Sequence, residues 1–294
     1  MYGWHQEQGN ADPACRGTVS DPRTGDWAKP LDARHRRALR ASQFNGGSAV
    51  AYGYDYIALI QNRTPNARSV CTGSLISSTK VLTAGHCCYE LQKDTFVDPA
   101  RLIMLIGAHQ LTNINIFGDL TTQPIGVGEL RYVQTLTVPP PWSQQHDLTK
   151  DICILTLDTA VTDIAPATIA PANDTLPTGS RVFALGWGRQ DGQIPTGLAG
   201  GYETTADCQS HGSGADFTLT YDDGSSTPAF LCYDASVSGA CSGDSGGPML
   251  VGSTIYGTVS RGYAAAGTPG YPCNDEQAYI NLAEPALNAF ILQS

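Results

Sequence analysis

The stretch Gly239-Ala-Cys-Ser-Gly-Asp-Ser-Gly-Gly-Pro-Met249 crowds small residues around one carboxylate and one hydroxyl, then leads directly into an apolar run. Residues without a Cβ accept unusual dihedrals and let backbone amides approach a ligand closely. Ser245 sits in the middle, and two readings compete. It is either a solvated serine in a loop between strands, or a nucleophile flanked by amide donors. The second reading needs a base, and an acid to orient that base, elsewhere in the chain.

Composition narrows the setting. The chain has 294 residues, 41% of them hydrophobic, with 32 Gly and 18 Pro, which suits a loop-rich all-β protein with one large core or two modest ones. No run approaches the ~18 apolar residues of a membrane span. The polar start Met1-Tyr-Gly-Trp-His-Gln does not read as a secretory signal, so an export signal would lie outside this sequence. The formal net charge of -10 is uneven: residues 1–43 carry +2 and residues 44–294 carry -12. Such an acidic body disfavours nucleic acid and anionic membrane surfaces as partners. Nine cysteines without paired C-x-x-C spacing argue against zinc and for disulfides in an oxidising compartment. The odd count leaves at least one thiol outside intrachain pairs.

Residues 1–43 have few β-branched positions, several turn formers and the basic run Ala33-Arg-His-Arg-Arg-Ala-Leu-Arg40, which is poor core material. From Tyr56 the texture changes to short β-rich runs: Tyr56–Ile60, Lys80–Thr83, Leu102–Ile106, Leu130–Val138 and Ile152–Leu157. A second series covers Arg181–Leu185, Phe217–Tyr221, Phe230–Tyr233, Pro248–Val251 and Thr254–Val259. Many short strands at this spacing suggest a sandwich or barrels. The proline-bearing Thr159–Gly179 reads as a linker. Glu284–Gln293 begins Glu-Pro and spaces Leu287, Phe290 and Ile291 on one face, predicting a terminal amphipathic helix.

Gly243-Asp-Ser-Gly-Gly247 also fits the G-x-S-x-G elbow of α/β-hydrolases, but there the histidine follows the serine. Here all six histidines, at 5, 35, 86, 109, 146 and 211, precede Ser245. A subtilisin-like order needs an acid before the histidine, and the β-rich surroundings of every candidate speak against its α/β sheet. Of the histidines, His86 keeps unusual company, in Val81-Leu-Thr-Ala-Gly-His-Cys87. Asp151-Ile-Cys-Ile-Leu155 puts an acid at the head of an apolar run, where it would be drawn inward and could hold an imidazole by its ring N–H. Asp147 is the weaker candidate for that job.

Together T-A-G-H-C, D-I-C-I-L, G-W-G at Gly186–Gly188 and G-D-S-G-G-P resemble the chymotrypsin/trypsin family of serine endopeptidases. The His-to-Asp and Asp-to-Ser separations are about 45 and about 93 residues in the family template, against 65 and 94 here. The difference implies an insertion in the first half.

The resemblance implies an all-β fold of two packed antiparallel six-stranded Greek-key β-barrels with a C-terminal α-helix. Residues 1–43 would be a pro-segment, 44–165 the first barrel, and 166–294 the second barrel and helix. Catalysis would fall to His86, Asp151 and Ser245, with the amides of Gly243 and Ser245 as oxyanion hole. The primary pocket would be lined by Gly239 at its base, Ser260, Gly262 and Gln277. Gly239 stands where trypsin-like relatives carry an aspartate, and Gly262 would leave the pocket open to large side chains. Both favour an apolar or broad preference, with Arg/Lys cleavage through Asp275 or Glu276, or a catalytically silent homologue acting as a binding module, as alternatives.

Disulfides Cys71–Cys87, Cys208–Cys232 and Cys241–Cys273 carry over by position. Cys88 and Cys153 each lie two residues after a triad member and are expected to pair, leaving Cys15 spare. Phe44-Asn-Gly-Gly47 resembles the family's activated terminus, so cleavage after Gln43 would free an ammonium for Asp244. The expected partners are protein or peptide substrates, an activating protease and protein inhibitors, with no nucleic acid and no membrane. The chain is expected to be a secreted monomer with no cofactor and no metal.

Overall fold

The structure, a computed structural model, describes residues 48–49, 53–64, 69–90, 93–111, 115–116, 118–123, 127–140, 148–189, 197–208, 218–221, 223–233, 239–262 and 277–294. Residues 1–43, including Cys15 and Gln43, as well as Phe44, His146, Asp147, His211, Cys273, Asp275 and Glu276 lie outside them.

Two closed six-stranded antiparallel barrels make up the body. The first comprises β1 (Ile57–Asn62), β2 (Ser69–Ser77), β3 (Lys80–Thr83), β4 (Leu102–Ile106), β5 (Glu129–Thr137) and β6 (Cys153–Leu157), closing in the order β1-β2-β3-β6-β5-β4. The second comprises β7 (Arg181–Gly186), β8 (Ala199–Ala206), β9 (Phe230–Tyr233), β10 (Pro248–Val251), β11 (Thr254–Gly262) and β12 (Gln277–Asn281). Its order β8-β7-β10-β11-β12-β9 closes through the pairing of β8 with β9. In both rings the fourth strand returns beside the first, the 4-1-2-3 arrangement of a Greek key.

The sequence of each strand follows from its surroundings. β1 and β4 are buried along their whole length and read as continuous apolar runs, IALIQN and LIMLI, because both faces are covered. β5, with solvent on one side, is largely polar and only Val133 along it is buried. Two polar residues, Gln61 and Asn62, end β1, and Gln61 is fully buried. Its Nε2 donates to the carbonyls of Ile116 and Gly118, each at 2.6 Å, so a buried amide anchors the loop beyond β4.

Phe217–Tyr221 was expected as a barrel strand and is not one. Thr218–Thr220 pairs only with Ser226–Pro228, in a hairpin apart from both barrels. Tyr221 and Thr227 from this hairpin hydrogen-bond the Glu284 carboxylate. Glu284 also caps the terminal helix, α1 (Pro285–Gln293), by accepting from Leu287 N at 2.8 Å. Leu287 and Ile291 are buried, Phe290 packs partly buried against the core, and Asn288 Nδ2 donates to Ala170 O, tying the helix to the inter-barrel connection.

Cys71–Cys87, Cys88–Cys153 and Cys208–Cys232 are disulfide-bonded. Cys241 is also disulfide-bonded, to a partner outside the described residues. Cys88–Cys153 closes 65 residues of chain, and removing a bridge over a loop of that size frees the unfolded state by roughly 2–4 kcal/mol. Cys88→Ala with Cys153→Ala is expected to lower the unfolding free energy measured in urea by that amount while preserving the native circular dichroism spectrum.

Candidate functional site

The pairing of β3 with β6 builds the first half of the site. Thr83 lies opposite Cys153, so the single 3-10 turn Gly85–Cys88 that follows β3 meets the residues just ahead of β6. Asp151 is 0% exposed there, and an unpartnered buried carboxylate would be costly. It has three donors: Oδ1 accepts the His86 backbone N–H at 2.8 Å, Oδ2 meets His86 Nδ1 at 2.8 Å, and Oδ2 accepts from Ser260 Oγ at 2.7 Å. An ionised Asp151 makes Nδ1 the donor and leaves Nε2 with its lone pair.

Burial alone would raise the Asp151 carboxyl, but the His86 charge and the hydrogen bonds from His86 and Ser260 outweigh it and hold the group below its ordinary value. Burial alone would lower the His86 imidazole, and the charge and hydrogen bond of Asp151 together reverse this, leaving it above its ordinary 6.5. The ring is still 31% exposed, so it is reachable from solvent.

Ser260 reaches Asp151 because of a bulge. The register of β11 against β12 slips between Val259, opposite Tyr279, and Arg261, opposite Ala278. A bulge of this kind re-aims one side chain. Here it delivers the Ser260 hydroxyl across the barrel boundary. Ser260, expected from sequence among the pocket-lining residues, thus spends its hydroxyl on the acid.

The second half of the site is the Gly239–Gly247 turn. Thr72 of β2 binds it to the first barrel: its N–H donates to Ser245 O at 2.8 Å, and its Oγ1 donates to Gly243 O and accepts from Trp187 N, both at 2.9 Å. Thr83 Oγ1 donates to Thr72 O at 2.8 Å. Gly246, at φ +83°, has no room for a Cβ, which would strike Thr83 Oγ1 and the Thr72 carbonyl. The turn therefore needs glycine for close packing between barrels as well as for open amides.

The Ser245 carbonyl oxygen lies 3.7 Å from Cys87 Sγ, beside the base. Among the described residues no hydrogen bond joins the Ser245 hydroxyl to the His86 ring. Thr72 and Thr83 were not singled out from sequence, since a threonine on a strand carries no motif. His109 pairs through Nε2 with Asp55 at 2.7 Å.

Asp244 turns inward, 1% exposed. Its Oδ1 accepts from Gly188 N at 2.7 Å and its Oδ2 from Cys241 N at 2.8 Å. A Cβ on Gly186 or Gly188 would collide with this carboxylate, which accounts for both glycines of G-W-G. Burial, only partly offset by the two amides, pushes its carboxyl up to about 7. On the pocket side, Gly239 and Ala240 are buried, Ala240 N donates to Tyr233 Oη at 3.3 Å, and Gly262 faces Gln277 across β11 and β12.

Against known proteins, residues 43–279 match the family model described as Trypsin. The chain is similar to a trypsin of Saccharopolyspora erythraea, 30% identical over 217 residues that cover 71% of this chain and 82% of the relative. It is also similar to brachyurin of Leptuca pugilator, 31% identical over 213 residues that cover 69% and 80%. Among solved structures, human heparin binding protein matches with a TM-score of 0.59 at 19% identity, covering 84% of this chain and 94% of the other. A scabies mite inactivated protease paralogue matches at 0.59 and 18%, covering 81% and 94%. At those identities the likeness is one of fold.

The elevated Asp244 value has a thermodynamic consequence. With a folded-state value of about 7 against an ordinary 3.8, the folded chain holds an extra proton between those pH values. Stability is therefore expected to fall as pH rises through that window, by on the order of 4 kcal/mol. Asp244→Asn mimics the protonated form and should flatten this slope, as measured by urea unfolding at about pH 4.5 and about pH 7.5.

Proposed function

We propose a residue-by-residue mechanism for this chain, which belongs to the trypsin family and is a serine endopeptidase acting on protein substrates. Ser245 Oγ attacks the scissile carbonyl while His86 Nε2 takes the hydroxyl proton. His86 then gives that proton to the leaving amine, so the peptide C–N bond breaks and an acyl-enzyme remains. Water, deprotonated by the same imidazole, attacks the ester and releases the acid and the free serine. Asp151 holds the imidazole tautomer and stabilises its cation. The amides of Gly243 and Ser245 receive the oxyanion, each donor lowering the barrier by roughly 3–4 kcal/mol.

The observation that carries this reading is the buried Asp151, which grips both the backbone and the ring of His86 while the serine turn is seated on the neighbouring Cys87. Precursor activation fits the same geometry. Residues 1–43 act as a pro-segment, and an activating protease cuts between Gln43 and Phe44. The freed ammonium then pairs with Asp244, whose partners in this structure are two neutral amides. Gly239 at the pocket base supports an apolar or broad preference. The disulfides support secretion, and the enzyme acts as a monomer.

A serine-directed phosphonate should label Ser245 in the chain that starts at Phe44, and far more slowly in the full chain, as read by intact mass. Ser245→Ala should abolish labelling and lower kcat by about a million-fold. Labelling elsewhere, or turnover surviving the substitution, overturns the assignment. Because neutral His86 is the base and Asp151 raises it above 6.5, kcat/KM should climb along a limb set above that pH. Asp151→Asn should shift the limb downward and cut kcat by about 10⁴-fold.

A further inference from the structure

The sequence reading took Gly262 as the residue that opens the primary pocket to large side chains. The structure fills that space. Gly262 and Gln277 are direct cross-strand partners, and such partners present their side chains to the same face. A Cβ built on Gly262 would lie 2.9 Å from Gln277 Nε2, 3.3 Å from its Oε1 and 3.4 Å from its Cδ. All three carboxamide atoms therefore lie over the Gly262 backbone, in the room its missing side chain leaves. Gln277 is 2% exposed, and an amide this deep is held by its surroundings, since burying it loosely would be costly.

Beyond it lie close-packed aromatic groups, with the buried Glu203 and Asp244 carboxyls near enough to act on both tyrosine hydroxyls. Tyr279, on the same face of β12, stacks on Tyr233 with ring centroids 5.5 Å apart and their hydroxyls 3.4 Å apart. Tyr233 in turn accepts from the amide of Ala240, next to Gly239. A long side chain entering between β11 and the Gly239 turn would have to displace the Gln277 carboxamide.

We propose, building on the reading of Ser245 as nucleophile and Gly239 as pocket base, that Gln277 shortens the primary pocket and makes the enzyme select small uncharged side chains, of alanine or serine size, before the scissile bond. A pocket that must shed or distort a held amide to admit a phenyl group loses at least about 10-fold in transition-state binding.

The test uses peptidyl phosphonates carrying an Ala, Phe or Arg side chain at the position before the reactive phosphorus. Their second-order labelling of Ser245 is followed by intact mass on the full chain and on the chain starting at Phe44. Wild type should react with the Ala compound at least ~10-fold faster than with the Phe or Arg compounds. Gln277→Gly, and Gln277→Ala should the glycine weaken β12, should bring the Phe compound level with or ahead of the Ala compound. Equal or faster wild-type labelling by Phe or Arg overturns the inference while leaving the nucleophile assigned. So does an Ala/Phe ratio that neither variant moves. No labelling of Ser245 by any compound on either chain overturns the nucleophile and the inference together.

Discussion

One threonine fastens the two barrels where the site is assembled. Through its N–H and its hydroxyl, Thr72 meets Ser245 O, Gly243 O and Trp187 N. These groups are buried backbone atoms that would each cost about 1–3 kcal/mol if left unpaired. The contact spans 171 residues of sequence between Thr72 and Gly243, so it joins one barrel to the other rather than neighbours along the chain. Everything downstream follows from this join. The serine turn lies against the base because β2 docks there, Gly246 must lack a side chain because Thr72 and Thr83 occupy its space, and Ser260 can cross to Asp151 because the barrels are held this close.

Two buried carboxylates show how the same burial yields opposite chemistry. Asp151 is met by an imidazole, a hydroxyl and an amide, and stays ionised. Among the described residues Asp244 is met by two amides and no cation, and its affinity for a proton rises. The first is therefore a finished electrostatic unit, with charge and counter-charge both supplied by the first barrel and the bulge of β11. The second has no counter-charge among the described residues and is cradled by glycines that make room for it. Desolvation is large in both cases, and the donor set decides the sign.

Much of this was legible beforehand. Strands with dense apolar runs, such as Leu102–Ile106 and Ile152–Leu157, stood out because both faces are covered. Ser69–Ser77 and Ala199–Ala206 did not. One is SVCTGSLIS and the other AGGYETTA, where hydroxyls and glycines serve inter-barrel contacts and close packing, so neither period nor β-propensity marks them. Gln277–Asn281 escaped notice for a related reason: its first residue is a buried polar amide. Conversely Phe217–Tyr221 had the pattern of a barrel strand but hairpins away to Glu284. In the site, motif residues were readable because chemistry fixes their type. Thr72 and the redirected Ser260 were not, because a register slip and a packing seam leave no local signature.

The Cys88–Cys153 bridge joins the residue two past His86 to the residue two past Asp151, within one barrel. In the proposed mechanism the proton acceptor and the orienting acid are thus stapled into one pair, aligned within the first barrel. Were the chain activated as proposed, the loop bearing the hydroxyl, on the opposite barrel, would be the part left to change shape, and latency would rest on that half of the machinery alone.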